Sequence, residues 1–347
     1  MRIAARLVCA LAIAYPLFDA SGEDAVTPIS TQNDRAVALR RSPTAVPGAT
    51  LFVETTTDES LETFALARGM HVLRIDPSQA SPEATGRLVA RYRRETGANH
   101  VIAHGFAENR TALLAGGFDG LLLEGIDVVA ASPTLRIIAV TGPDFFWSPV
   151  TPALNKDPVS ANLRRFYLAG IALARKADCV PPTRVAAAPA LRALLVVLDD
   201  WTKGVKPPVS RFPGAADLVG AGALVWPKLP GLPAPPADAR FVPPIDADGN
   251  ERPVGLVLPD HALPIASFTT FGVDRAGCSG GMALPFATSR AEREKNGDPR
   301  PSLVERYGSR AYFVATMRVV ADRLVKERLL LKEDAEAYVA AAKSAPF

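Results

Sequence analysis

At 347 residues the chain is long enough for one large domain with a substantial core. Hydrophobic residues make up 48% and charged residues 22%, which excludes a disordered chain. The net charge is only +3, with Lys and Arg scattered among Asp and Glu, so there is no basic face and nucleic acid is not an expected partner.

Residues 1–20 read as a signal peptide: Arg2 and Arg6 precede the apolar run Leu7 to Phe18, and Ala20 and Ser21 are small enough for cleavage. That run is too short to span a bilayer, so no transmembrane segment is expected and the location implied is periplasmic or secreted. Cleavage would remove Cys9 and leave Cys179 and Cys278, either as a disulfide or as two buried thiols. Residues 21–48 are polar with scattered prolines and are expected to run over the surface, with order beginning at Ala49.

From Ala49 the pattern alternates. Ala49 to Glu54 and Met70 to Ile75 read as strands; Glu59 to Arg68 and Pro82 to Thr96 read as helices, the second opened by Ser81 ahead of Pro82. Val101 to Ala103 then forms a short apolar strand ending at Gly105, followed by helix-forming residues. This is the strand, sharp turn and helix layout of a nucleophile elbow, but the residue at its centre is Ala107. Leu121 to Glu124, Leu135 to Thr141 and Arg164 to Ala169 read as further strands, and Ala190 to Trp201 as a helix on the sheet. Asp144, in Gly142-Pro143-Asp144, lies where a triad acid belongs, or serves as a turn residue. Such alternation specifies a mostly parallel sheet with helices on both faces. Between Pro207 and Pro259 there are twelve prolines, which rules out a long helix or central strand and specifies an extended wrap over 207–260. An apolar stretch (Ala262 to Phe271), a glycine-rich turn (Gly277 to Gly281) and helices over Tyr312 to Leu330 and Lys332 to Lys343 follow. The segment 285–343 completes a single domain over 49–343.

Several long motifs carry a resemblance. Pro285 to Arg293, Gly297 to Leu303, Glu305 to Arg310 and Leu329 to Ala335 look like the ending of a bacterial family of large, often exported, esterase-like α/β-hydrolase-domain proteins. Arg192 to Leu195, Leu198 to Trp201 and Pro207 to Pro213 are similar to its middle. The resemblance implies an α/β-hydrolase-like fold, shortened at its N-terminus. The family's elbow, Gly-Phe-Ser-Gln-Ser-Gly-Arg, matches Gly105-Phe106-Ala107-Glu108-Asn109-Arg110 and leaves Ala107 at the nucleophile position. Its acid matches Asp144. Its Ala-Gly-Thr-x-His matches Ala169-Gly170-Ile171-Ala172-Leu173, with Leu173 in place of the base. The resemblance thus implies a degenerate esterase relative, a pseudoenzyme with Asp144 as remnant acid, that binds a small apolar or ester-like ligand or a partner. Phe106, Glu108 and Phe146 are candidate pocket residues, although Glu108 also suits the helix dipole and Phe146 a core position.

The alternative is an active carboxylic ester hydrolase with a rearranged triad. Of the four histidines, His71 and His100 open strands at the end away from the elbow, and His104 lines the pocket mouth or packs at a strand end. His261 alone follows Asp144 in the chain, so such a triad would draw on His261, Ser279 and either Asp144 or Asp260. No His, Cys, Asp and Glu spacing suggests a metal site, and no cofactor is expected.

Overall fold

The computed structural model describes residues 37–56, 61–76, 81–106, 110–125, 134–147, 160–171, 173, 186–270 and 283–347. The signal-peptide reading, the Cys179 and Cys278 alternatives, Ala107, Glu108 and Ser279 lie outside these residues.

The main sheet has seven strands: β1 (Val37–Arg40), β2 (Leu51–Glu54), β3 (His71–Ile75), β4 (Val101–Phe106), β5 (Gly120–Glu124), β6 (Arg136–Thr141) and β7 (Leu163–Tyr167), in the order β1-β3-β2-β4-β5-β6-β7. All pairs from β3 to β7 are parallel, and only β1 runs antiparallel, at one edge. The helices between strands are α1 (Glu62–Ala67), α2 (Pro82–Thr96), α3 (Arg110–Ala115) and the single turn α4 (Pro143–Phe146). After β7 come α5 (Ala188–Thr202), α6 (Pro259–Ala262), α7 (Arg290–Asn296), α8 (Leu303–Tyr307), α9 (Arg310–Lys326) and α10 (Lys332–Lys343).

The strands are apolar on both faces because both are covered. Phe52, Val72, Ile102, Leu122 and Ile138 meet Leu191 and Leu194 of α5 in a core that extends to Phe313 and Met317 of α9 and Tyr338 of α10. Their neighbours Val53, Leu73, Val101, Leu121 and Ile137 meet Val89 and Tyr92 of α2 and Leu113 of α3. Helix α2 begins as its sequence specifies: the Ser81 hydroxyl accepts the Ala84 N–H at 3.2 Å, Pro82 opens the first turn, and Gly97 ends it at φ +67°.

One boundary needs correcting. The sheet already includes β1, inside the segment read as a surface run, because Val37 to Arg40 pair with Arg74's strand and Leu39 is buried in the core. A four-residue edge strand offers too few positions for a period-two signal to stand out.

The proline-rich segment is extended, as its composition requires, with only the short pair β8 (Val219–Gly220) and β9 (Phe241–Val242) and two 3-10 turns. It also covers the open edge of β7. Arg211 donates its N–H to Arg165 O at 2.9 Å and accepts from Tyr167 N at 2.8 Å; Leu256 donates to Tyr167 O at 2.7 Å and accepts from Ala169 N at 3.1 Å. Both contacts fall on residues that keep an N–H, which proline lacks. The strands β10 (Ala266–Phe268) and β11 (Ala283–Pro285) form a separate hairpin-like pair, tied down by Arg300 through Leu284 O and Pro285 O.

The turns after β6 and β7 touch at Gly142, where a Cβ would lie 2.2 Å from Ile171 O and 2.7 Å from Asp144 Oδ1. Gly142→Ala is therefore expected to destabilise the fold by about 1–3 kcal/mol in urea denaturation. Gly220→Ala, which meets nothing within 4 Å, should stay within about 0.5 kcal/mol of wild type. Equal effects of the two substitutions would refute the crowding argument.

Candidate active site

The C-terminal ends of the parallel strands are where open α/β sheets place their chemistry. Strand β4 ends at Phe106, just before Ala107. Gly105, its last core glycine, has no room for a side chain: a Cβ would sit 2.5 Å from Thr55 Oγ1 and 2.6 Å from Leu113 Cδ1. Thr55 locks the end of β2 onto this turn, its hydroxyl and N–H both donating to His104 O at 2.7 and 3.2 Å.

Strand β6 delivers Asp144. Its Oδ1 accepts the backbone N–H of Leu173 at 3.1 Å, so these two residues meet, although 29 residues separate them. Leu173 is buried in the core shared with Ile171. The turn carrying it is held from several sides. Gly170, at φ +70°, donates its N–H to Glu251 Oε2 at 3.1 Å, and a Cβ there would come within 2.3 Å of His261 Nδ1. The Tyr167 hydroxyl donates to Glu251 Oε1. Phe146 takes its core alternative: it is fully buried and packs edge to face on Tyr167, with centroids 5.2 Å apart.

His261 is buried behind this turn. Its Nε2 donates to the Glu251 carbonyl at 2.9 Å, while Nδ1 has no hydrogen-bond partner among the described residues. A working triad needs the opposite arrangement, with Nδ1 held by an acid and Nε2 facing the nucleophile. Burial pushes His261 down to about 4, against the hydrogen bond to Glu251 O, so the ring is neutral at ordinary pH.

The imidazole that carboxylates do hold is His104. Glu54, His104 and Glu124 end or nearly end β2, β4 and β5 on the same face of the sheet, with Glu54 opposite His104 and Phe106 opposite Glu124. His104 Nδ1 lies 3.0 and 3.1 Å from the two Glu54 oxygens, and Nε2 lies 2.7 Å from Glu124 Oε1. Thr56 adds its N–H and hydroxyl to Glu54 Oε1 at 2.9 and 2.8 Å. Burial opposes the charge on His104, but the two carboxylates outweigh it and raise the imidazole to about 10. With both nitrogens occupied by carboxylates, His104 cannot accept a proton from a nucleophile. Reading it as a mouth residue or strand-end packing missed this pairing, yet a signal was present: three consecutive parallel strands, Leu-Phe-Val-Glu, Val-Ile-Ala-His and Leu-Leu-Leu-Glu, reach a titratable residue after the same apolar run. His71 opens β3 and His100 precedes β4, both at the far end of the sheet as expected. Among the described residues no group of His, Cys, Asp and Glu is arranged to hold a metal ion.

A family model described as an alpha/beta hydrolase domain matches residues 153–340, more than half of the chain. The chain belongs to this family. The match begins after Asp144 and takes in β7, Leu173, the proline-rich wrap and the C-terminal helices. No match is found among curated proteins. Among solved structures, a cold-adapted esterase from an Arctic intertidal metagenomic library aligns at 13% identity over 31% of this chain and 71% of its own, with a TM-score of 0.25. An alpha-beta serine hydrolase homologue from Coxiella burnetii aligns at 11% identity over 38% of this chain and 80% of its own, with a TM-score of 0.27.

In this α/β-hydrolase chain the buried ionisable groups make stability depend on pH in a definite direction. His104 keeps a proton when folded that the unfolded chain releases near 6.5, the ordinary value of an imidazole. Its contribution is complete below that value and disappears as pH rises toward about 10. Burial raises Glu251 from 4.5 to about 8, so its contribution falls in the same direction but over a lower window. His261 works the other way, losing stability as pH falls from 6.5 toward about 4. Between pH 8.5 and 9.5, unfolding free energy should therefore fall in wild type by up to about 1.4 kcal/mol per pH unit from His104 alone. His104→Gln should flatten that slope. Parallel slopes in the two proteins, measured by urea denaturation, would show that His104 is not held as an imidazolium.

Proposed function

We propose that this chain is a catalytically degenerate member of the α/β-hydrolase family, acting as a ligand- or partner-binding protein, with Ala107 and Leu173 in the nucleophile and base positions. The observation that carries this reading is the contact between Asp144 and Leu173. The acid lies against the backbone of the base position, as a triad acid lies against its histidine, but the side chain offered there is a buried leucine. Without an imidazole at that position nothing accepts the nucleophile's proton. The rearranged triad finds no support in His261, whose Nε2 is committed to a backbone carbonyl. The proposal also takes residues 1–20 as an export signal, on the strength of Arg2, Arg6 and the apolar run after them. N-terminal sequencing of protein recovered from a bacterial periplasm should then begin near Ser21, and a start at Met1 would reject the signal.

The decisive test is fluorophosphonate labelling of the purified protein, read by peptide mass spectrometry, beside an assay on short-chain aryl esters. The expected result is no labelled serine and no turnover; a specifically labelled serine with turnover would overturn the reading. Ala107→Ser alone should remain inactive, while Ala107→Ser with Leu173→His should recover weak esterase activity. In subtilisin, losing the triad serine or histidine alone costs on the order of 10⁶ in turnover, about as much as losing the whole triad, so restoring one alone regains little. Activity in the single variant would show that Leu173 does not stand at the base position.

A further inference from the structure

The Glu54, His104 and Glu124 cluster has an unbalanced composition: two carboxylates share one imidazolium. Among the described residues no Lys or Arg pairs with either glutamate. Arg74, the register partner of Glu54 on the neighbouring strand, bonds instead to Glu62, with Nε and Nη2 at 3.1 and 2.5 Å from Oε2, and to Thr56 O. Glu54 spends its oxygens on His104 and Thr56. Glu124 differs. Oε1 accepts from His104, whereas Oε2 has no hydrogen-bond partner among the described residues, and the side chain keeps 8% of its surface accessible while Glu54 keeps none. The glutamate is thus gripped from beneath by a buried imidazole and offers one oxygen outward at the carboxyl end of the sheet.

An aromatic ring lies beside it. Phe106 is the register partner of Glu124 on the adjacent strand, so the two side chains emerge on the same face, and its half-buried ring is 6.4 Å from the His104 ring. A carboxylate oxygen next to an aromatic ring is a pairing that recognises organic cations, by a charge-assisted hydrogen bond and by attraction to the ring face. A ligand cation there would also supply the positive charge the cluster lacks. We infer that Glu124 and Phe106 form a binding site for a small primary alkylammonium ion, built on the buried Glu54 and His104 pair. This goes beyond the vacant-triad reading: it shares the pocket candidate Phe106 with it but needs neither Ala107 nor Leu173, so the vacancy of the triad can fail without it.

Ligand-observed NMR titration with n-butylammonium chloride at constant ionic strength tests it, with 1-pentanol as the uncharged analogue. Saturable binding of the ammonium but not of the alcohol is expected. Glu124→Gln, whose amide oxygen still accepts from His104, should weaken binding about tenfold or more; Phe106→Leu should weaken it about threefold. Circular dichroism and thermal melting confirm that each variant is folded. No saturable binding to wild type, equal binding of the alcohol, or unchanged affinity in folded Glu124→Gln would each overturn the inference. Serine labelling in the preceding experiment would leave it standing.

Discussion

An imidazolium placed between two carboxylates, out of contact with water, governs how the middle of this sheet ends. His104 of β4 bonds to Glu54 on one side and Glu124 on the other, joining the last residues of β2 and β5 across a single ring. Burying charges is costly unless they are paired and fully hydrogen bonded. The arrangement meets that condition through Thr56 at Glu54 and through the accessible oxygen at Glu124. The ends of three strands are thus tied together by one ring.

A second group of contacts fixes the other half of the same edge. Asp144, Glu251 and His261 all converge on the turn from Leu168 to Leu173, through a backbone N–H, a second backbone N–H and close packing on Gly170. Asp144 and Glu251 both accept backbone N–H groups of this turn, and Glu251 also holds the Tyr167 hydroxyl.

Much of this was legible in the chain. The strands β2 to β7 and the helices α2, α5, α9 and α10 follow from alternation, capping and proline placement, and Pro82 to Thr96 begins and ends where Ser81 and Gly97 direct. The edge strand β1 was not legible, because its pairing with β3 rests on four residues, too few for a period-two pattern to stand out. Motif matching singled out Asp144 and Leu173, each past a strand end, but not the backbone hydrogen bond between them. Glu251 was hidden for a different reason: it sits in a proline-rich stretch whose path local pattern cannot specify, and its partners Tyr167 and Gly170 are more than 80 residues away. The charge of His104 was hidden too, because it depends on two strands not adjacent in sequence.

The way the proline-rich segment covers β7 also bears on how the chain reaches its fold. Until Arg211 and Leu256 arrive, β7 has unpaired N–H and C=O groups along one side, the kind of edge that recruits strands from other chains. Both contacts span about 45 to 90 residues, a separation that makes loop closure slow relative to helix formation. A chain emerging from synthesis therefore holds an open, aggregation-prone edge for as long as its wrap is incomplete. The sequence that most resembles a passive covering is what makes the sheet safe in company.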